Sequence, residues 1–229
     1  MKENLEMTTS YRWGAISLTV AGILFILYPF IRPFSDETSL LGASAFSSIE
    51  WLISHVMAIL AFVLLGIGHL SFYLSVQNTM VEKLALRSLI LAWIGIGLIL
   101  PFYGAEVFSL NIIGQEAIHQ QNVALMSLVN DIRFGPGFLM ILIGLIILAA
   151  SSILVAIIIW KSKILSKWSG IPYALGFILY LPQYMGTQPI RIVHGLVITI
   201  GCLWIALYLW RTKQSIDTVN GKSHSPTME

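Results

Sequence analysis

The stretch from 136 to 160 most limits what this chain can fold into, because it is apolar throughout and carries no ionisable side chain. About 20 apolar residues in a helix cross the hydrocarbon core of a bilayer. The whole chain is 57% hydrophobic and 10% charged, and no repeated alternation of apolar and polar residues indicates a β-barrel. The sequence therefore predicts an all-α, polytopic membrane protein with six transmembrane helices. The predicted spans are 11–31, 51–76, 87–109, 136–160, 168–184 and 190–210.

The distribution of basic residues predicts the orientation. Six spans place the N-terminal segment 1–10 and the tail 211–229 on the same side, and the polar tail is predicted to be disordered. Ten Lys and Arg residues lie on that side and three on the other. Because basic residues favour the cytoplasmic side, we expect a cell-membrane protein with both termini in the cytoplasm. The three on the outer side are Arg32, Arg133 and Arg191.

The longest predicted connection runs from 110 to 135 on the outer side. It is too long for an unstructured loop in a helix bundle. Ile118, Leu125, Val129 and Ile132 alternate there with polar residues, a pattern that favours a short amphipathic helix at the outer interface.

Three ascending spans contain a similar phrase that ends in a proline, at Pro29, Pro101 and Pro182. Two descending spans open with the similar phrases 131–137 and 189–195. This similarity suggests three helical hairpins of common origin, with chance resemblance among Leu- and Ile-rich helices as the alternative.

Glu106 is the residue that points most directly to function, because a carboxylate at membrane depth needs a partner, a cavity or the interface. It lies near the end of the apolar run that begins at Leu89, in a turn with Pro101 and Gly104 where a kink or local unwinding is expected. The six-span topology predicts several polar side chains at the same depth. These candidate ligand-binding residues are His55, His194, Arg191, Tyr103, Tyr184 and Gln183.

Two interpretations of this cluster need no metal. In the structural one, Glu106 pairs with Arg191, and the histidines bond to carbonyl groups that the prolines leave free. In the other, the cluster is an outward-open pocket of a permease, sensor or accessory subunit, where Arg191 meets an anion and Glu106 a cation or proton. The ligand and any partner membrane subunit stay open. We favour the pocket as the functional hypothesis.

A third interpretation is a membrane enzyme with a metal or haem centre. His55, His194 and Glu106, with His119 or water as a fourth ligand, are suitable zinc ligands for a hydrolase. Alternatively, His55 and His194 are axial ligands of one haem b in an oxidoreductase. The spacing of His55 and His69 resembles that in a helix of b-type cytochromes which ligates two haems. Position 208 is Tyr, so at most one bis-histidine haem fits. The expected role of His69 is a hydrogen bond within the bundle or snorkelling toward the cytoplasmic face.

Several function classes lack their sequence signals. The net charge of +2 comes without a basic patch that contains aromatic residues, which argues against nucleic-acid binding. The sequence has no glycine-rich nucleotide loop, no His-Glu-x-x-His and no Gly-x-Ser-x-Gly. The single cysteine, Cys202, excludes an intramolecular disulfide.

Overall fold

The structure is a computed structural model that describes the backbone of residues 2–222 and the side chains of residues 9–212. In this part of the chain all regular elements are helical, as predicted. The α-helices are α1 (Lys2–Ile31), α2 (Leu40–Ser47), α3 (Ile49–Ser75), α4 (Glu82–His119), α5 (Ser127–Arg133), α6 (Pro136–Ser162), α7 (Ile171–Ile178) and α8 (Gln188–Lys222).

Among the described residues, five helices are long and apolar enough to cross a membrane, and this confirms the multi-pass, all-helical class. The count differs from the six predicted spans. The five segments are Thr9–Ile31, Ile49–Ser75, Glu82–His119, Pro136–Ser162 and Gln188–Thr212.

The predicted span 168–184 is not a continuous helix. It consists of a 3-10 turn at Lys167–Gly170, the short helix α7 and a second 3-10 turn at Pro182–Met185. Pro182 has no amide hydrogen to donate to the carbonyl of Ile178, four residues earlier, and α7 ends at Ile178. The segment is apolar enough for a membrane span, but its α-helix, α7, is too short to cross a membrane.

This broken segment packs alongside α8 and runs in the opposite direction. Residues 173 and 176 lie beside residues 201 and 198, and Tyr180 lies further along beside His194. The contact is close because Gly201 has no side chain: a Cβ there would lie 2.5 Å from the Cα of Tyr173. The segment therefore fills the space between α6 and α8 without forming a long helix.

Helix α4 extends well beyond the predicted span 87–109 and is continuous through Pro101 and Gly104. Its 38 residues correspond to about 57 Å, which exceeds the ~30 Å hydrocarbon core. The expected local unwinding is absent from this helix. Much of the predicted outer connection 110–135 is consequently the end of α4.

The extended end of α4 forms a cap with α2 and α5 at one end of the bundle. The cap has its own apolar cluster, in which Phe46, Trp51 and Leu110 are fully buried. The predicted amphipathic helix is present as a 3-10 turn followed by α5, and Met126 and Val129 are buried against this cluster. Helix α2, between the first two spans, is an element that the sequence did not predict.

The chain ends differ from their predicted boundaries. Helix α8 continues to Lys222, past the predicted boundary at 210, and α1 already begins at Lys2. The rest of the predicted disordered tail, 223–229, lies outside the described residues. The three repeat phrases do not share one backbone conformation, because Pro29 and Pro101 lie inside helices and Pro182 begins a 3-10 turn. Common origin of the hairpins stays a prediction.

Candidate functional site

Glu106 forms an ion pair with Arg133, not with Arg191. Its Oε1 accepts a hydrogen bond from Arg133 Nε at 2.9 Å and lies 2.8 Å from Arg133 Nη2. The side chains of Glu106 and Arg133 are 12% and 18% exposed, so the pair is largely shielded from water. The predicted Glu106–Arg191 pair is therefore wrong, because the cation that Glu106 contacts is Arg133.

Arg133 extends the pair into a chain of four charged residues. It also donates to both carboxylate oxygens of Glu37, and Glu37 Oε1 accepts a hydrogen bond from Arg32 Nη2 at 2.8 Å. The order is Arg32, Glu37, Arg133, Glu106, so cations and anions alternate. We call this set the ion-pair chain. It connects the end of α1, the following loop, the end of α5 and the middle of α4.

Local backbone geometry places Glu37 in this chain. Its φ of 59° is left-handed, and Gly42 on α2 lies against it: a Cβ at Gly42 would be 2.7 Å from the Cα of Glu37. Burial acts to raise the pKa of Glu37, but the hydrogen bonds and charges of Arg133 and Arg32 outweigh it and lower the pKa. The same carboxylates raise the pKa of Arg133 despite its burial. Glu37 and Arg133 are therefore charged at neutral pH.

Arg191 lies nearby with different partners. Its Nε donates to the carbonyl of Gly186 at 3.1 Å, and Nη2 donates to the carbonyl of Tyr184 at 2.6 Å. The guanidinium also lies over the rings of Phe34 and Tyr184, 5.1 and 5.8 Å from their centroids. Within residues 9–212 it forms no ion pair with a carboxylate.

Three tyrosine hydroxyls meet beside this region. The Tyr103 hydroxyl on α4 is 2.9 Å from that of Tyr180 and 2.8 Å from that of Tyr184. Tyr103 and Tyr180 are buried, and Tyr184 is partly buried. The structure thus brings together the predicted Tyr103 and Tyr184. Gln183 is buried in the 3-10 turn between Tyr180 and Tyr184, and the hydrogen bonds of the hydroxyl cluster do not involve it.

His55 is fully buried among aromatic rings. Its Nδ1 donates to the carbonyl of Trp51 at 2.8 Å, and its ring lies 3.9 Å from the Trp51 ring and 5.4 Å from the Tyr28 ring. Its Nε2 has no hydrogen-bond partner among the side chains and backbone that the structure describes. His55 therefore lies in the aromatic packing behind the ion-pair chain.

His194, His69 and His119 occupy three other environments. His194 Nε2 donates to the carbonyl of Gly176 at 2.7 Å, and its ring contacts Tyr180. His69 Nε2 is 2.5 Å from the Tyr173 hydroxyl, as expected for a hydrogen bond within the bundle. His119 is exposed in the last turn of α4.

These positions do not fit the predicted metal or haem ligands. In the part of the chain with described side chains, no three His, Cys, Asp or Glu residues lie close enough to hold a metal ion. Glu106 is engaged by Arg133, and the Nε2 of His194, a usual ligand atom, is engaged by the Gly176 carbonyl. Neither zinc nor haem is therefore assigned to the set of His55, His194, Glu106 and His119.

The ion-pair chain and Arg191 line one end of a cavity of about 540 Å³. The remaining wall is mostly apolar. It is formed by α4, α6 and the segment 181–185, with side chains that include Phe102, Phe138, Ile141, Leu145 and Leu181. The cavity thus combines a charged end with an apolar wall, and of the predicted residues it includes Glu106, Arg191 and Tyr184.

The sequence interpretation did not assign Arg32, Glu37 and Arg133 to this site. A signal was present for two of them, because Arg32 and Arg133 were predicted on the outer side together with Arg191. Glu37 gave no signal, since it lies in a polar loop with an ordinary turn composition.

Comparison of the sequence with protein-family models, curated proteins and solved structures finds no match in any of the three. The function is therefore inferred from the geometry of the site alone.

Proposed function

We propose that this chain is a non-enzymatic membrane protein which binds a small, largely apolar ligand in the cavity beside the ion-pair chain. A permease, a sensor and an accessory subunit all use such a site. The single observation that carries the proposal is the cavity itself. Its volume of about 540 Å³ lies within the usual range for ligand pockets, and it combines an apolar wall with a few convergent polar groups.

The ion-pair chain supports a binding role because its contacts are already formed in the protein without a ligand. Glu37 and Glu106 each have an arginine partner, so the charged end of the cavity is already neutralised where it is most buried. A preorganised wall lowers the cost of ordering side chains on binding. The tyrosine hydroxyls further fix Tyr184, which belongs to the lining.

The proposed location is the cell membrane, with the cavity near the outer boundary and both termini in the cytoplasm. The three arginines on the side with fewer basic residues all line this cavity, which is consistent with the positive-inside rule. In this arrangement the broken segment that contains α7 returns the chain across the membrane between α6 and α8.

Photolabelling tests the proposal. The protein is placed in lipid nanodiscs with a long-chain alcohol that carries a diazirine, and cross-linked peptides are identified by mass spectrometry. We expect labelling of the cavity-facing stretch 138–145 and its displacement by excess dodecanol. Labelling spread evenly over the lipid-facing helices, with no displacement, would contradict a binding cavity.

A pair of variants on α6 gives a matched control. Ile141 lines the cavity, and Ile141→Trp should fill part of it and reduce displaceable labelling severalfold. Ile143 lies two residues away and is 42% exposed, so Ile143→Trp should leave the labelling unchanged. Both variants are compared at equal amounts of monodisperse protein. Equal labelling of the two would argue against the cavity as the binding site.

A further inference from the structure

The charges that line the cavity do not cancel. Three arginines and two glutamates contribute, which leaves a formal excess of one positive charge. Glu106 binds Arg133, and Glu37 binds both Arg133 and Arg32. The excess charge is therefore located at Arg191, which has no carboxylate partner within residues 9–212.

Arg191 also retains hydrogen-bond donors. A guanidinium has five N–H groups, and Arg191 uses Nε and Nη2 for the carbonyls of Gly186 and Tyr184. Nη1 makes no hydrogen bond to the described part of the protein. The two carbonyl bonds and the ring of Phe34 hold the guanidinium in one orientation. A held, uncompensated guanidinium in a partly apolar site is suited to a carboxylate or phosphate group.

The apolar wall begins at this charged end and runs along α6. Phe138, Ile141 and Leu145 cover two turns, which correspond to about 10 Å. The rim is apolar as well, because Phe138 and Leu181 are each 37% exposed and Met185 is 95% exposed. An apolar rim on a membrane protein favours an opening toward the lipid hydrocarbon over one toward water.

From this arrangement we propose that the ligand is a single-chain anionic amphiphile, with its head group on Arg191 and its chain along α6. This inference depends on the proposed function and adds the chemical class of the ligand. The ligand partitions from the surrounding leaflet and enters through the apolar rim. A neutral ligand would leave the Arg191 charge uncompensated, and a cationic one would be repelled by it.

Competition against the photoreactive alcohol tests the ligand class. Laurate, dodecyl phosphate, dodecanol and dodecyltrimethylammonium are compared as competitors in nanodiscs of zwitterionic lipid at constant pH and ionic strength. We expect at least one of the two anions to displace the probe about tenfold better than dodecanol. The cation should compete less well than dodecanol. Equal competition by all four would overturn the inference, although displacement by dodecanol would still support the proposed function.

Variants of Arg191 test the location of the head group. Arg191→Gln should abolish the preference for anions and leave displacement by dodecanol intact, and Arg191→Lys should retain part of the preference. Arg87→Gln, an exposed residue near the start of α4, is the matched control and should keep the full preference. If dodecanol no longer displaces the probe in Arg191→Gln, the substitution has disturbed the cavity. The location of the head group is then tested with Arg191→Lys. Loss of the anion preference in Arg191→Lys together with full dodecanol displacement, or a preference unchanged in Arg191→Gln, would overturn the assignment.

Discussion

Arg133 forms an ion pair with Glu106 in which its Nε donates a hydrogen bond to Glu106 Oε1, although the two residues are 27 positions apart and lie on different helices. The packing of α4 against α6 explains why they meet. Gly95 and Gly144 form the close contact of these antiparallel helices: a Cβ at either glycine would lie 2.8 Å from the other's carbonyl oxygen. Glu106 is eleven residues beyond Gly95, and Arg133 is eleven residues before Gly144. The glycine contact therefore sets the relative depth at which the ion pair forms.

The first prediction concerns Glu106→Gln. The neutral amide keeps the size of the side chain but removes the charge that Arg133 faces in a largely shielded position. Hydrogen bonds to charged groups contribute about 1.5–3 kcal/mol, so we expect a loss of about 2 kcal/mol in the free energy of unfolding. Reversible unfolding in mixed detergent micelles measures this loss.

Glu116→Gln is the control for that measurement. Glu116 lies on the same helix and is exposed, and its carboxylate accepts a hydrogen bond from Gln120 at 2.9 Å. We expect a change below about 0.5 kcal/mol. Equal losses in the two variants would show that the Glu106–Arg133 pair contributes no more than an exposed glutamate.

The second prediction is an acid dependence that comes from Glu37. Arginine partners lower its pKa below the ordinary value of 4.5, despite its burial. Between the lowered pKa and 4.5 the unfolded state binds more protons, so stability rises with pH in this window. We expect stability to fall as the pH drops from about 5 through the folded-state pKa, and Glu37→Gln to have a weaker fall. Unfolding temperatures recorded from pH 7 down to about pH 2.5 measure this.

Two other acidic residues, Asp36 and Glu116, are needed to interpret this experiment. The pKa of Asp36 is also lowered, chiefly by the backbone N–H of Thr38, so some acid dependence should persist in Glu37→Gln. Glu116→Gln should retain the full dependence of the unaltered protein. An acid response of Glu37→Gln identical to that of the unaltered protein would contradict the assignment to Glu37.

Part of this architecture is predictable from sequence because hydropathy and charge indicate how deep in the membrane a residue lies. Five of the six predicted spans correspond to long helices, and the three arginines predicted on one side line one cavity. Hydropathy reports the free energy of transfer into lipid and is insensitive to backbone conformation. For this reason the apolar segment 168–184 gave a strong signal even though Pro182 prevents one continuous helix.

The sequence does not determine how each helix is rotated about its own axis, and therefore which side chains face one another. Arg133 and Arg191 were predicted at the same depth, and depth alone cannot choose which one faces Glu106. Arg133 meets Glu106 because α6, which begins shortly after Arg133, packs against α4 at Gly95 and Gly144, and this packing is apparent only in the folded chain. The sequence also could not show that α4 continues as a helix through Pro101. A proline in a membrane helix is tolerated where its surroundings satisfy the carbonyl group that it leaves without a hydrogen bond, and these surroundings form only when the helices pack.

The third prediction concerns the tyrosine hydroxyls. Tyr103→Phe removes the hydroxyl that bonds to both Tyr180 and Tyr184, at 2.9 and 2.8 Å. Unsatisfied buried polar groups cost about 1–3 kcal/mol, so we expect a loss in that range. Tyr208→Phe is the control, because that hydroxyl makes a single long bond of 3.4 Å to the carbonyl of Ser75. A smaller loss for Tyr103→Phe than for Tyr208→Phe would contradict the prediction.

The fourth prediction tests the contact that positions the ion pair. In Gly95→Ala the added Cβ would lie 2.8 Å from the carbonyl oxygen of Gly144 and 3.0 Å from the amide nitrogen of Leu148, so α4 and α6 must move apart. Overpacking of this kind costs about 1–3 kcal/mol. Gly97→Ala is a control on the same helix, since no atom lies within 4 Å of a Cβ there, and it should not destabilise the protein. Unfolding of both variants in micelles measures the difference, and equal stability would argue against a tight crossing.

The last prediction is the topology of the broken segment. Helix α6 begins near the ion-pair chain, and α8 also begins at that end, because Gln188 Nε2 donates to the carbonyl of Pro29 at 3.2 Å. The chain must therefore return between α6 and α8, and it does so through a segment with only one short α-helix. We expect reporters fused at the N-terminus, the C-terminus and the turn near Asn78 to be cytoplasmic. A reporter inserted near Gln121 should be external. A C-terminus on the side opposite the N-terminus would show that the segment 167–187 does not cross, and the cavity would then have a different position relative to the bilayer.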